Sequence, residues 1–526
     1  MSDERKIPAT MSTQHPDNAN LPPWCGSTVI DGDAEIYEAY YAYSQLGCHE
    51  VMWDSEGKDV DTRVIRKLLE KHAGFFSEQL IGRDVFLTYR IPNPKIEGAE
   101  KKVFIETLYN ITVACDVASA FYKKEVMPIF EVILPFTTNA KELLWLHEYY
   151  RKAIAGAEEV FLDENLKVKD WVGCLKPKSI EVIPLIEDFD SILAADKIVE
   201  PYIRDIKPKY LRVFIARSDP ALNYGVLCAV LLSKIALSRL KLLERKLNVE
   251  IHPILGVGSM PFRGHLSPAN VERFLCEYEG LSTVTIQSSL KYDYPIEQVK
   301  NCINVLNRRL PNGQPLIIEE SSEEDGLATI LRKSKSLYEK VVEELAPLIN
   351  SMASYVPARR ARKLHIGLFG YSRRIGSVIL PRAIPFAAAF YSLGIPPELL
   401  GSRALTELKE DEWKLMEKYY VNLKHDLEVA SGYISWRNIE LIKEACKLLA
   451  EKAGMNVENL RKAIDEVLSD LNTAEKTLGI KLGPRTNLER KHENFINNFL
   501  LSYIEGDENA ASTSLVEAAK IRRCLG

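Results

Sequence analysis

"YLRVFIARSD", Tyr210–Asp219, runs into "PALNYGVLCAVLLSKIALSRLKLLERKL", residues 220–247, and then into "EIHPILGVG", Glu250–Gly258. The first and third pieces are short, apolar and rich in β-branched residues, which reads as strand; the middle piece carries the longer spacing of a helix. A strand that returns after a helix of that length is a βαβ unit. Strands apolar on both faces belong to a parallel sheet covered on both sides. Each of these two strands also runs out into residues with chemistry to offer: Arg217 and Asp219 after the first, Arg263 in the loop after the second.

The same alternation extends in both directions. Candidate strands are "CHEVMWD" (Cys48–Asp54), "DVFLTYR" (Asp84–Arg90), "PIFEVILP" (Pro128–Pro135), "IEVIPLIE" (Ile180–Glu187), the two strands above, "STVTIQSS" (Ser282–Ser289) and "LHIGLFGYS" (Leu364–Ser372), with "QPLIIEE" (Gln314–Glu320) as a spare. Nearly all are followed by a helical pattern; in "SPANVERFLCEYEG" the pair Ser267-Pro268 reads as a cap and first turn. Eight such units predict an α/β fold built as a closed (β/α)8 barrel rather than an open doubly wound sheet. Beyond Arg382 the segments "RALTELKEDEWKLMEKYYVNLKHDLEVA", "NIELIKEACKLLAEKAG" and "NVENLRKAIDEVLSDLNTAEKTLG" are amphipathic helices without a convincing strand. The expected organisation is an N-terminal arm over residues 1–45, the barrel over 46–382 and a helical region over 383–526.

The 526 residues suit one large domain or two to three smaller ones. Their 68 basic and 73 acidic side chains are well mixed, so no polybasic face for nucleic acid is expected. The nine cysteines are scattered, odd in number and free of any Cys-x-x-Cys, which predicts reduced thiols in a cytoplasmic protein. "MSDERKIPAT" has no apolar core of a secretion signal, and the longest gentle run, "AIPFAAAFYSLGI" (Ala383–Ile395), is too short to span a bilayer. No membrane partner is expected.

In a parallel barrel, chemistry collects where the strands end. Those ends carry Asp54, Arg90, Glu187-Asp188, Arg217 to Asp219, Arg263, Gln287 with Lys291, and Arg373-Arg374. Two carboxylates on neighbouring strand ends suit Mg2+ or Mn2+ that keeps waters and takes its remaining ligands from substrate. Arginines offer paired donors to phosphate or carboxylate. Together they predict a small, multiply anionic substrate. Each strand-end charge taken singly has a bland alternative, a strand meeting water. The histidines have no ligand-spaced partners, so a histidine-bound zinc is not expected; His265 is a modest candidate for the site and His365 reads as buried or at an edge. "GVG" (Gly256–Gly258) reads as tight backbone rather than a phosphate loop.

"MSTQHPDN", Met11–Asn18, sets a histidine before a proline in a segment without an apolar face. The proline keeps His15 extended and Asp17-Asn18 favours a turn. His15 stands either in a solvated loop or on an arm that delivers an imidazole to the barrel mouth.

Several of these motifs, in this order, resemble the phosphoenolpyruvate carboxylase family, in its short archaeal form. "MSTQHPDN" is similar to the Thr-x-His-Pro segment of the longer enzymes, "IPLIED" (Ile183–Asp188) to their Pro-Leu-Phe-Glu, and "ARSDPALNYG" (Ala216–Gly225) to their Tyr-Ser-Asp-Ser-Ala-Lys-Asp-Ala-Gly. "FRGH" (Phe262–His265) is similar to their Gly-Arg-Gly-Gly loop, and "YSRR…LPRAIPF" to their Gly-Ser-Arg…Leu-Arg-Ala-Ile-Pro-Trp. The resemblance implies catalytic roles for His15 and Arg263, metal binding by Glu187 and Asp219, and substrate binding by Arg373 and Arg382. Arg90 joins the last group on strand order rather than a local motif. Where the long enzymes have a lysine in the Ser-Asp-Ser-Ala-Lys stretch, this chain has Leu222, and it ends in "RRCLG" rather than Arg-Asn-Thr-Gly, which puts their inhibitor site in doubt. The implied reaction joins phosphoenolpyruvate and bicarbonate into oxaloacetate and phosphate, through carboxyphosphate and a pyruvate enolate held by Mg2+ (or Mn2+), in a homotetramer. The rival readings are another metal-dependent barrel lyase acting on phosphoenolpyruvate, pyruvate or acyl-thioesters, and a helical scaffold on an inert barrel; bicarbonate dependence separates the first.

Overall fold

The computed structural model describes residues 6–366, 373–376 and 378–526. Eight parallel strands close into a barrel: β1 (Thr10–Ser12), β2 (Glu50–Asp54), β3 (Phe86–Arg90), β4 (Glu131–Leu134), β5 (Glu181–Ile186), β6 (Tyr210–Ala216), β7 (Glu250–Gly256) and β8 (Thr283–Ile286). The opening stretch of the sequence forms the longest pairing, with Tyr210 to Ala216 matched one for one to Glu250 to Gly256.

The (β/α)8 architecture is as expected, but its closing strand is elsewhere. The eighth strand is Thr10–Ser12, inside the stretch read as an arm; it pairs with β2 on one side and β8 on the other. "LHIGLFGYS" is not the closing strand. Leu364 and His365 form a turn, and residues 367–372 lie outside the described ones. The spare stretch Gln314–Glu320 forms no strand. Gly225, at φ +85°, divides the helix after β6 into Ser218–Tyr224 and Val226–Leu247, and a side chain there would run into Tyr338. Ser267 precedes a turn that Pro268 opens, and the helix begins only at Val271.

Side chains alternate along a strand, so each strand has an inner and an outer set. On β2, Val51 and Trp53 join the main core beneath the helices, while Met52 joins an inner apolar cluster with Met11, Ile133, Ile183, Leu185, Phe214, Ala216 and Ile254. Two positions to either side of Met52, the inward set becomes charged: Glu50 at the closed end, Asp54 at the mouth. At the closed end Arg212 lies between two carboxylates, with Nη2 donating to Glu50 Oε2 (2.7 Å) and Nη1 to Glu131 Oε2 (2.9 Å). The barrel is thus an apolar plug between two polar layers.

Among the described residues after β8 the named elements are helices, apart from a hairpin of Arg374–Ile375 with Val378–Ile379. The helix Ser321–Ala353 leads into helices that pack over the barrel and its mouth. Among the described residues one helix, Val103–Tyr122, is long and apolar enough to cross a membrane, a segment not singled out in the sequence; its Leu108, Ile111, Ala114 and Ala118 are buried in the core.

Candidate active site

His15, Arg90, Glu187, Asp219 and Arg263, which end or follow barrel strands, and Arg373 and Arg382, from the chain beyond β8, line one cavity of about 300 Å3 at the barrel mouth. Glu56, Lys58 and Arg362, which sequence reasoning did not select, line it as well.

His15 follows β1 by three residues. Its segment is tied down by its neighbours: Gln14 accepts from the Asp54 backbone N–H (3.0 Å) and donates to Glu35 (3.2 Å), and both Gln14 and Glu35 are buried. Asp17, read only as a turn former, is fully buried. It accepts from Arg263 Nη1 (3.0 Å) and from the Ser289 backbone and hydroxyl (both 2.9 Å). The solvated-loop reading of "MSTQHPDN" therefore gives way to a segment stitched across the mouth. Nδ1 of His15 meets the Thr13 hydroxyl at 2.8 Å. Burial, then Lys58, Arg90 and Arg263, hold the imidazole well below its ordinary value, so it is neutral at neutral pH and able to accept a proton.

Asp54 anchors the cations nearest His15. It takes a two-pronged contact from Arg90 (2.8 and 2.7 Å) and an ion pair from Lys58. Burial would raise Asp54, but Arg90 and Lys58 outweigh it and hold it well below the carboxylate range. Burial brings Lys58 down to about 8 despite that partner. Arg90 also reaches Glu56 at 3.2 Å.

Glu187 comes directly after β5 and Asp219 stands in the first turn after β6, at the strand ends expected from "IPLIED" and "ARSD". Burial raises Glu187 well above the carboxylate range, and Asp219 and Glu56 add to it. One Glu187 oxygen accepts from the Phe136 backbone N–H (2.8 Å), and Asp219 Oδ1 accepts from Arg373 Nε (2.7 Å). Burial would raise Asp219 too, but Arg373 holds it low. Each carboxylate keeps a second oxygen, and their mutual repulsion is what a divalent cation would relieve; two hard oxygen donors suit Mg2+ that keeps water. Among the described residues no three His, Cys, Asp or Glu come together as a fuller ligand set. Asp188, next to Glu187, instead caps the helix Phe189–Leu193 through the Ser191 N–H (2.9 Å).

Arg263 sits in a tight turn. Gly258 N donates to Arg263 O (2.7 Å), and Gly264 takes φ +114° where a side chain would strike Val257. The guanidinium is fixed by Asp17, Gln287, Ser218 (3.2 Å) and the carbonyl of Gly526 (3.0 Å). His265 lies outside the cavity, with Nδ1 on Asp426 (2.5 Å). Lys291 is buried on Glu38. His365 is exposed and faces Glu97 at 2.7 Å rather than lying in the core. Leu222 is fully buried, and the lysine that lines the cavity is Lys58, on another strand end.

Chemically, the cavity offers a neutral imidazole, a carboxylate pair and a ring of guanidinium groups. A family model described as phosphoenolpyruvate carboxylase matches residues 7–526. A phosphoenolpyruvate carboxylase of Metallosphaera sedula is 49% identical over 522 residues, covering 99% of this chain and 100% of the relative. Relatives of the same name from Caldivirga maquilingensis (47% over 525 residues; 99% and 100%) and Picrophilus torridus (46% over 524 residues; 99% and 99%) agree.

Proposed function

From the chain's membership of the phosphoenolpyruvate carboxylase family, a family of carboxy-lyases acting on phosphoenolpyruvate and bicarbonate, we propose how its residues carry out that reaction. The observation that carries the proposal is the convergence of the six motif residues, and of Arg90, on one cavity.

Bicarbonate oxygen attacks the phosphorus and the bond to the enol oxygen breaks, giving carboxyphosphate and the pyruvate enolate. Arg263 and Arg382 offset the charge that spreads over the phosphoryl oxygens. A divalent ion at Glu187 and Asp219 would supply positive charge beside the developing enolate oxygen. His15 takes the proton of carboxyphosphate, which then releases carbon dioxide and phosphate; the enolate carbon attacks carbon dioxide to form oxaloacetate. A neutral imidazole suits that step. Water must be excluded during it, because a protonated enolate leaves as pyruvate; Pro16 of the N-terminal segment and Arg263 of the tight turn both line the cavity and are placed to close on it.

The working protein is a homotetramer in this reading. Ile105, Tyr109 and Val113, four residues apart on Val103–Tyr122 and each more than two-fifths exposed, provide an apolar stripe that self-association would cover. The nine cysteines, all free, suit the cytoplasm.

Oxaloacetate formation, followed as NADH loss through malate dehydrogenase, tests the proposal. NADH loss that requires phosphoenolpyruvate, bicarbonate and Mg2+ supports it. Phosphate and pyruvate release that ignores bicarbonate would overturn it in favour of a lyase-type site.

A further inference from the structure

"PARRARK", Pro357–Lys363, sets four cations within seven residues. In the structure it is pinned across the barrel mouth by two isolated backbone bridges, Ile30 with Arg360 and Lys58 with Arg362. Its arginines have different occupations. Arg359 donates to the carbonyls of Asn18 (3.1 Å) and Ala19 (3.0 Å). Arg360 makes a two-pronged pair with buried Glu38 (2.5 and 2.6 Å). Arg362 lines the cavity, and its Nη1 is buried without a hydrogen-bond partner.

Charge bookkeeping around the cavity isolates it further. Arg90 and Lys58 are paired with Asp54, Arg263 with Asp17, and Arg373 with Asp219. Arg382 is in the same condition as Arg362: it lines the cavity, makes no ion pair among the described residues, and its Nε is buried and unpartnered. Both side chains are partly buried, and a guanidinium nitrogen that is buried without a partner is costly unless something anionic comes to lie beside it. Burial, followed by the charges of Arg362 and Arg373, brings Arg382 down to about 9, and burial lowers Arg362 as well.

We propose that Arg362 is a substrate-binding residue which, with Arg382, seats the phosphomonoester dianion of the substrate. Two cations that make no ion pair among the described residues, with only Glu56 and Asp54 acting on them from a distance, match a dianion, and guanidinium groups match phosphate oxygens in pairs. Arg359 and Arg360 hold the strap that presents Arg362, and the bridge to Lys58 sets its depth. This rests on the carboxylase reading for the identity of the substrate, but the anion site can be tested apart from it.

The experiment measures KM for phosphoenolpyruvate, kcat, and direct binding of inorganic phosphate by calorimetry for the parent, Arg362→Gln and Arg362→Lys. Lys363→Gln, which does not line the cavity, is the neighbour control. Arg362→Gln should raise KM and weaken phosphate binding about 10- to 100-fold, with kcat changed far less, as expected for lost charge-assisted contacts. Arg362→Lys should recover part of the loss, and Lys363→Gln should stay within about twofold. Unchanged KM and phosphate binding in Arg362→Gln would overturn the inference, as would an equal loss in Lys363→Gln. Should Arg362→Gln fold poorly, Arg362→Lys decides: full parental affinity for phosphate argues against a two-pronged guanidinium seat. A parent that binds phosphate through Arg362 yet makes no oxaloacetate would sink the carboxylase reading and leave this one standing.

Discussion

The two ends of the barrel treat buried charge in opposite ways. At the closed end one guanidinium, Arg212, is held by two carboxylates, Glu50 and Glu131, with Thr88 and Tyr210 donating to those same acids. At the mouth the cavity carries more cations than partners, and Arg362 and Arg382 are left over. The separation between the layers is small: Glu50, Met52 and Asp54 alternate along one five-residue strand. Charge matched by charge within the fold reads as architecture. Charge left unmatched beside a cavity reads as a vacancy for a ligand, and the difference is visible without knowing the ligand.

His15→Asn tests the mouth most severely. The variant should lose about 10^2- to 10^4-fold in oxaloacetate formation while still binding phosphoenolpyruvate, since a positioned base contributes about that much. Oxaloacetate formed at the parental rate would remove His15 from the mechanism. At the other end, Arg212→Met should leave Glu50 and Glu131 buried without a cation and cost about 3–5 kcal/mol of stability, read from urea unfolding, with turnover per folded molecule retained. Arg382→Gln should do the reverse: it removes an uncompensated cation, so stability should hold or rise by about 1 kcal/mol, while KM for phosphoenolpyruvate climbs. If Arg382→Gln destabilised the fold as much as Arg212→Met, the contrast between the ends would be lost.

The smallest effect concerns Glu35, behind His15. Burial raises its carboxyl from 4.5 to about 8, and one of its oxygens is buried without a partner. An acid raised on folding contributes fully below its unfolded value and loses that contribution as pH climbs from about 4.5 to about 8. Glu35→Gln should therefore melt with the parent at pH 5 and about 1–3 °C above it at pH 8.5, in thermal unfolding of both. Equal melting temperatures at both pH values would mean that the carboxyl is already matched in the fold.

Seven strands, of four to seven residues each, were legible because apolar, β-branched runs bounded by turn residues are distinct enough to recognise. Thr10–Ser12 was not: "TMS" has neither length nor alternation, and it is a strand only because β2 and β8 offer open edges on both sides. The motif residues were legible as motifs. Their companions depend on convergence that no local pattern carries. Lys58 sits in "SEGKD" and Arg362 in "ARRARK", both of which look like solvated charge, and Asp17 looks like a turn former although it is fully buried on Arg263 and Ser289. A polar residue that folds inward to meet a partner hundreds of positions away leaves no signature at its own position.

The three-residue strand β1 also sets an order of events during synthesis. It is made before the other barrel strands, yet one of its two neighbours, through Thr10 with Val284, is made hundreds of residues later. Pairing across such a span is slow to find and cannot begin until both edges exist. His15 hangs from that strand, and Arg382, across the cavity, emerges later still. A nascent chain therefore carries its imidazole for most of its translation without a pocket in which to use it. Any interruption before the later strands appear yields a polypeptide that holds the signature and none of the activity.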